Sequence, residues 1–274
     1  MGRASFLAAV GLSALLARAE RIELSHDDAR CVVETQGARV VSYVVAGQEL
    51  LWMPKDGLGD DPVWRHGGIP LAWPWFGRIG TGDANIHGYA WKKPFSVKSR
   101  SDSAVTLELK TGFADLEYTI RLDATLELEL KTVNRSDFDF PMGVAFHPYF
   151  RVGERDQTTV AGVGSDAIAV TNAIDRGQKF GRVESQKDYR IADSSSGRAI
   201  RVLAQNSTGV NVWNPGAEKD CPGVIPGSEW RHFVAVEPYS MGANRFMVLR
   251  PGEGHVLGMN VRMERISGTC GGGR

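Results

Sequence analysis

The sequence predicts an all-β protein, a large antiparallel β-sandwich with few helices. More than a dozen short runs rich in β-branched and aromatic residues follow one another, separated by glycine-containing turns such as those at Gly37 and Gly47. Leu126, Leu128 and Leu130 alternate with charged or polar residues, as in a strand with one buried and one wet face. Helical periodicity is nearly absent, and no repeat of fixed period indicates a propeller.

The predicted strands continue along almost the whole chain. In the first half they lie at residues 31–34, 39–45, 49–52, 105–110, 116–122 and 125–133. In the second half they lie at residues 158–163, 167–171, 199–203, 210–213, 232–236, 245–249 and 253–263. A short apolar run before His147 predicts one more strand. So many short strands in one chain are typical of a sandwich.

The two ends of the chain differ in composition from the region between them. Arg3 precedes an apolar run at residues 6–16, and Ala17-Arg18-Ala19 has the small-x-small form of a cleavage site. Residues 1–19 therefore indicate a signal peptide, with a loosely docked N-terminal helix, an unusual start-site extension or an organelle transit segment as alternatives. The run is too short to span a bilayer. We expect one sandwich domain at residues 20–266 and a disordered tail at 267–274.

This leader also decides the expected location. If it is a signal peptide, the protein is extracytoplasmic, either secreted or periplasmic, and otherwise it is cytoplasmic.

Charge and cysteine content restrict the partners that the sequence predicts. The chain has 32 Lys plus Arg and 32 Asp plus Glu, so no net field attracts it to nucleic acid or to an acidic membrane surface. Its three cysteines are widely spaced and form no CxxC pair, which argues against a zinc site and a disulfide framework. We expect a monomer that binds a small neutral molecule, without a metal or stable membrane insertion.

Two titratable residues follow apolar runs and precede a proline. His147 lies in Met142–Val152, where Pro148 disfavours a helix and indicates a strand end, so that a held imidazole can serve as an acid or base. Glu237 follows Phe-Val-Ala-Val, and the partial desolvation expected there raises the proton affinity of a carboxylate. The alternatives are a hydrogen-bonded packing histidine and a glutamate capped by backbone amides. If the two strand ends converge on one cleft, they form an acid and base pair.

Residues 65–78 predict a rigid loop against which a ligand can lie. The segment holds two adjacent glycines, two prolines and three large aromatic residues, a composition that suits close backbone approach beneath aromatic walls. Indole faces suit the C–H faces of a sugar ring, although such tryptophans are often core residues. The predicted walls are Trp64, Trp73, Trp75 and Trp91.

Several short motifs occur in one order along the chain. They are Gly67-Gly68-Ile69-Pro70, Trp73-Pro74-Trp75-Phe76-Gly77, His87-Gly88-Tyr89-Ala90, His147-Pro148-Tyr149-Phe150, Trp213-Asn214-Pro215-Gly216 and Val236-Glu237-Pro238. This order resembles the aldose 1-epimerase superfamily, and within it the branch called glucose-6-phosphate 1-epimerase or hexose-6-phosphate mutarotase. The resemblance covers roughly residues 21–264.

The resemblance implies a galactose mutarotase-like β-sandwich that interconverts the α and β anomers of an aldose or hexose 6-phosphate without a cofactor. Glu237 matches the general base that takes the proton of the anomeric hydroxyl, and His147 matches the acid that protonates the ring oxygen. His87 matches a second histidine that holds the sugar, and Asp175 resembles an aspartate that binds sugar hydroxyls.

Three positions depart from the phosphate-specific branch, where an arginine precedes the double glycine and the histidine motif is flanked by glutamine and arginine. Here the matching residues are His66, Ile86 and Trp91. Each lost charged contact removes about 1.5 to 3 kcal/mol from the free energy of binding a phosphate group. Arg65 or Arg78 beside the loop can replace them, and an unphosphorylated sugar is the alternative substrate.

A non-catalytic carbohydrate-binding protein on the same fold is the alternative from another class, since a fold does not fix a function. A glycosidase would require two carboxylates flanking the scissile bond, and the sequence offers one well-placed carboxylate with a histidine.

Overall fold

The computed structural model describes residues 20–54, 64, 66–81, 86–171, 173–217, 225, 228–242 and 244–266. The predicted leader at residues 1–19, the predicted tail at 267–274 and Arg65 lie outside these described residues. Within them, no helix is both long and apolar enough to pass through a membrane.

The described residues form nineteen strands and three short 3-10 turns, the turns at Ala90–Lys92, Arg155–Gln157 and Glu229–His232. The first ten strands are β1 (Arg21–His26), β2 (Ala29–Glu34), β3 (Arg39–Val45), β4 (Gln48–Glu49), β5 (Leu71–Ala72), β6 (Ser96–Arg100), β7 (Ala104–Lys110), β8 (Ala114–Leu122), β9 (Leu126–Asn134) and β10 (Phe140–Met142). The others are β11 (Val144–Phe146), β12 (Tyr149–Arg151), β13 (Thr158–Ala161), β14 (Ile168–Ala169), β15 (Ile174–Asp193), β16 (Arg198–Asn214), β17 (Phe233–Ser240), β18 (Met247–Leu249) and β19 (Gly254–Arg265).

A 13-stranded antiparallel sheet dominates the molecule, which confirms the predicted all-β class. Its main path runs β14-β13-β15-β16-β19-β9-β8-β7-β6, and β17 leaves this path at β16 to pair with β11 and β12. A four-stranded sheet, β1 to β4, and a two-stranded ribbon of β10 and β18 accompany it.

The leucine alternation in β9 marks the main core. Leu126, Leu128 and Leu130 are buried and lie opposite Val261, Met259 and Leu257 of β19, respectively. Burying each leucine side chain contributes about 1.5 to 3 kcal/mol, so this inner face fixes the register of the strand pair.

Two long strands depart from the predicted pattern. β15 spans 20 residues that the sequence pattern misses, because its polar composition shows no apolar alternation. β16 joins the predicted strands at 199–203 and 210–213 into one strand, since the polar residues between them continue to pair. Hydrogen-bonded pairing with neighbouring strands on both sides stabilises these segments as strands even where their own composition does not predict a strand.

The sequence predicted that Glu237 lies at the end of a strand. In the structure Glu237 lies within β17, where Pro238 still pairs with Val210 of β16. Strand pairing on the other flank of β17 is interrupted between β11 and β12 at this level. A proline, which has no N–H to donate, is tolerated where a ladder is interrupted.

Candidate active site

His147 and Glu237 lie opposite each other because of strand register. β17 pairs Tyr239 with Ala145 of β11 and Ala235 with Tyr149 of β12. Extending either pairing by two residues places His147, in the gap between β11 and β12, directly opposite Glu237. Residues that are directly opposite on adjacent antiparallel strands point to the same face of the sheet. Strand pairing thus brings together His147 and Glu237, which are 90 positions apart in the sequence.

The two side chains are in contact and nearly buried. His147 Nε2 lies 3.4 Å from Glu237 Oε1, and the residues are 5% and 1% exposed, respectively. Within the described part of the chain, neither His147 Nδ1 nor Glu237 Oε1 has a hydrogen-bond partner. Buried polar atoms without partners are rare in folded proteins, and a catalytic role is one explanation for them.

Burial shifts both groups toward their uncharged forms. Desolvation raises the pKa of the Glu237 carboxyl well above its ordinary value, and Asp175 adds to this effect, while a hydrogen bond from Asn211 opposes it. Desolvation lowers the pKa of His147 well below its ordinary value, reinforced by His87 and His66. The raised proton affinity predicted for Glu237 therefore agrees with its surroundings.

His87 is held beside His147 by a strained turn. Its backbone φ is +57°, a left-handed conformation that is uncommon outside glycine. Gly88 follows with a positive φ, and a Cβ there would collide with the carbonyl oxygen of Trp73. The two imidazole rings of His87 and His147 are perpendicular, with centroids 5.1 Å apart. Strain of this kind is frequent at functional sites.

The tautomer of His87 follows from its contact with Gly77. The Gly77 N–H donates to His87 Nδ1 at 3.2 Å, so Nδ1 accepts and the proton of the neutral ring is on Nε2. Burial, with smaller contributions from His66 and Arg78, lowers the pKa of His87 to about 3. His87 is therefore a neutral hydrogen-bond donor beside His147.

His66 belongs to an aromatic cluster on the other side of His147. Its Nδ1 lies 2.9 Å from the Tyr149 hydroxyl, to which Trp64 Nε1 donates at 3.0 Å. Tyr149 stacks on His147 with centroids 4.8 Å apart and an interplanar angle of 15°. Burial lowers the pKa of His66 to about 3. This cluster fixes the plane of the His147 ring.

Asp175 reaches the same site through Asn211. Asn211 pairs directly with Glu237 in the sheet, and its Nδ2 lies 3.2 Å from Asp175 Oδ1 and 3.5 Å from Glu237 Oε2. Glu237, Asn211 and Asp175 thus form a row of three polar side chains. Exposure rises along this row, from buried Glu237 through half-buried Asn211 to exposed Asp175. The row therefore connects the buried pair to the molecular surface.

Trp213, near the end of β16, packs against the candidate site. Trp213 lies within ring contact of His66, His147 and Tyr149. The next residue, Asn214, is buried; its Nδ2 donates to the Trp230 and Phe233 carbonyls at 2.8 Å each, and its Oδ1 accepts from Arg155 at 3.1 Å and Gly216 at 2.9 Å.

The Asn214→Ala variant is expected to lose about 3 kcal/mol of unfolding free energy, because removing the asparagine amide leaves several buried donors and acceptors unpaired. Urea denaturation measures the loss. Asn260→Ala is the matched control, since it removes one half-buried hydrogen bond, to Thr125, in the same sheet. If Asn214→Ala costs no more than this control, the turn is not held by the asparagine.

The four tryptophans predicted to form the walls occupy different positions in the structure. Trp64 contacts the rings of His87 and His147. Trp73 is fully buried and stacks on Phe113 in the core, because it lies on the inner side of the loop. Trp91 is buried behind Trp64 with its Nε1 donating to the Gly88 carbonyl, and Trp75 makes its described ring contact with Tyr89.

Asn211, Tyr149 and Trp213 were not among the candidate site residues predicted from the sequence. A polar residue between Val210 and Val212 of a buried strand was the available signal for Asn211. Arg78 is exposed, and its backbone bridges to Ile86. In the described part of the chain, no group of three or more His, Cys, Asp or Glu residues is arranged to hold a metal ion.

A family model described as aldose 1-epimerase matches residues 20–262 of this chain. An Escherichia coli K12 protein named "Putative glucose-6-phosphate 1-epimerase" is 29% identical over 243 residues, which cover 79% of this chain and 81% of that protein. A Salmonella typhimurium protein of the same name is 26% identical over 243 residues, with the same coverage of both chains.

Solved structures share the fold. The structure of YeaD from Salmonella typhimurium superposes with a TM-score of 0.76 at 23% identity, covering 89% of this chain and 90% of that one. The GalM/aldose epimerase homologue from C. elegans gives a TM-score of 0.71 at 12% identity, covering 91% of this chain and 100% of that one.

Proposed function

The chain belongs to the aldose 1-epimerase family, and on that basis we propose that it interconverts the α and β anomers of an aldose with Glu237 as general base and His147 as general acid. The observation that carries this proposal is the contact between their side chains, 3.4 Å apart. Family membership makes the protein an isomerase of the epimerase type and favours this role over non-catalytic sugar binding.

The reaction requires two proton transfers at adjacent oxygens. The reaction starts from the ion-pair form of the two groups, in which the shared proton is on His147 and not on Glu237. Glu237 then takes the proton of the anomeric hydroxyl while the His147 imidazolium protonates the ring oxygen, and the bond between C1 and the ring oxygen breaks. The resulting aldehyde turns about its bond to C2. The ring oxygen then attacks the other face of C1 and returns its proton to His147, while Glu237 returns the first proton to the new hydroxyl. Atoms, charge and oxidation state balance over the cycle.

Burial supports the intermediate of this reaction. After ring opening, Glu237 is protonated and His147 is neutral, and these are the forms that desolvation favours in both groups. A low-dielectric site would otherwise oppose separated charges. The surroundings of the pair thus stabilise the protonation pattern that accompanies the open-chain aldehyde.

The neighbouring residues have proposed roles in holding the sugar. His87 donates from Nε2 to a sugar oxygen, and Asp175 accepts from a hydroxyl at the exposed end of the row. Trp64 and Trp213 both contact the ring of His147, and their proposed role is to supply apolar faces for the C–H groups of the sugar ring.

NMR measurement of anomer exchange tests the proposed activity with glucose, galactose and their 6-phosphates. Purified protein is expected to accelerate the exchange of at least one of these sugars above the rate in buffer. Sugar binding in calorimetry without any acceleration would support the non-catalytic alternative instead.

A hexose 6-phosphate is the second candidate substrate, because curated relatives are named "Putative glucose-6-phosphate 1-epimerase". In addition, Arg78 lies close enough to His87 for its charge to lower the His87 pKa. The three positions that differ from the phosphate-specific branch hold a neutral His66, Ile86 and a buried Trp91. Since none of these three residues carries a positive charge, the neighbouring Arg78 is the proposed phosphate contact.

The Arg78→Ala variant is expected to lower kcat/KM for a hexose 6-phosphate by about 10-fold while changing that for the unphosphorylated sugar less than about 2-fold, since one charge-assisted contact is removed. Exchange NMR on matched sugar pairs measures both values. Arg121→Ala, which removes an exposed arginine of β8 paired with Glu127, is the control. Equal effects on both sugars would contradict phosphate binding by Arg78.

A further inference from the structure

We infer that Asn211 is a positioning residue that holds the base, Glu237, and the sugar-binding Asp175 in one hydrogen-bonded row. This inference rests on the proposed function and extends it to a residue that does not itself transfer a proton.

Strand register places Asn211 between the two carboxylates. On β16, Asn211 is directly opposite Glu237 of β17 on one side and Gly177 of β15 on the other. Asp175 is two residues from Gly177 along β15, which makes it the diagonal neighbour of Asn211 on the same face. Since Gly177 has no side chain, the residue directly opposite Asn211 on β15 does not separate Asp175 from the asparagine amide.

The chemistry of the amide fits this position. An asparagine NH2 group has two hydrogens and no acceptor capacity, and it faces Asp175 Oδ1 at 3.2 Å and Glu237 Oε2 at 3.5 Å. One hydrogen for each carboxylate is the arrangement in which every contact is attractive. The longer contact belongs to the base, and catalytic hydrogen bonds are often long before a ligand is bound.

This arrangement distinguishes the two oxygens of Glu237. Oε2 is engaged by Asn211, whereas Oε1 lacks a hydrogen-bond partner within the described residues and lies beside His147. The carboxylate plane is thereby fixed with Oε1 presented to the acid and to the reacting sugar. A side chain without donors at position 211 would let the carboxylate rotate and would leave two acidic groups close together.

The Asn211→Leu variant tests the inference because leucine has a similar volume and no donor. The Glu237 pKa is expected to rise by about 0.5 to 1 unit, since a donor that favours the ionised carboxylate is lost. The measurement is a ¹³C NMR titration of the Glu237 carboxyl, assigned by its absence in Glu237→Gln. Asn211→Asp, which adds a like charge, should raise the pKa further.

Kinetics give the second readout. In Asn211→Leu, kcat for anomer exchange should fall about 10-fold, and the limb of the pH profile that follows Glu237 should move to higher pH by the same amount as in the titration. Asn260→Leu is the matched control, since it removes a half-buried asparagine hydrogen bond in β19 without touching the row. It should leave the pKa and kcat unchanged.

The possible outcomes separate the two proposals. An unchanged Glu237 pKa in Asn211→Leu overturns the positioning role, whether or not the protein epimerises sugars. A raised pKa together with no anomer exchange by the wild type supports the contact with Asn211 and overturns the proposed function.

Discussion

The Glu237→Gln variant is expected to lose at least about 100-fold in the rate of anomer exchange, because an amide of the same shape cannot accept the proton of the anomeric hydroxyl. The side chain keeps its volume in a site where Glu237 is almost fully buried. Its thermal stability should be equal to or higher than that of the wild type, since a buried ionisable group has been removed. Exchange NMR and thermal unfolding measure the two effects.

A matched control separates the loss of the base from a general effect of removing charge. Glu264→Gln changes a half-buried carboxylate of β19 that pairs with Arg190, Arg201 and Arg262. It should retain nearly full activity. A Glu237→Gln protein that is folded and equally active would show that another group accepts the proton.

The His147→Gln variant is expected to lose about 100- to 10,000-fold in the same rate. A glutamine can place its amide nitrogen near the position of Nε2 and can donate a hydrogen bond to the ring oxygen, but it cannot transfer a proton. Calorimetry should therefore find sugar affinity within about 10-fold of the wild type, which makes the loss one of kcat rather than of binding.

His232→Gln provides the comparison for this variant. His232 is half-buried in a 3-10 turn, and its Nδ1 lies 2.8 Å from the carbonyl of Gly153. The His232→Gln variant should remain active, because the described hydrogen bond of this ring is to Gly153 and not to the candidate site. If His147→Gln loses sugar binding as severely as activity, the histidine acts chiefly in recognition, and its proposed role as the acid is wrong.

Much of the fold was predictable because burial leaves a local pattern in the sequence. The alternation of Leu126, Leu128 and Leu130 predicted β9, whose buried face the structure confirms. β3 was predicted with its observed bounds, Arg39–Val45. β15 was missed because its pairing with β16, and not its own composition, makes it a strand.

The site was predictable in its residue types but not in its construction. His147 and Glu237 were recognisable from buried strands that precede a proline, yet their alignment depends on a register set by Tyr149 and Ala235. Asn211 was not recognisable as a candidate, since its contacts with Asp175 and Glu237 depend on partners on two other strands. Trp73 was assigned to a sugar wall, and only the packed core shows which side of the loop it occupies.

The most direct test of the acid and base pair is exchange NMR of an aldose anomer mixture with wild type, Glu237→Gln and His147→Gln under one set of conditions. The account predicts accelerated exchange by the wild type and a loss of at least about 100-fold in each variant. Exchange at the wild-type rate in both folded variants would contradict the assignment of these two residues.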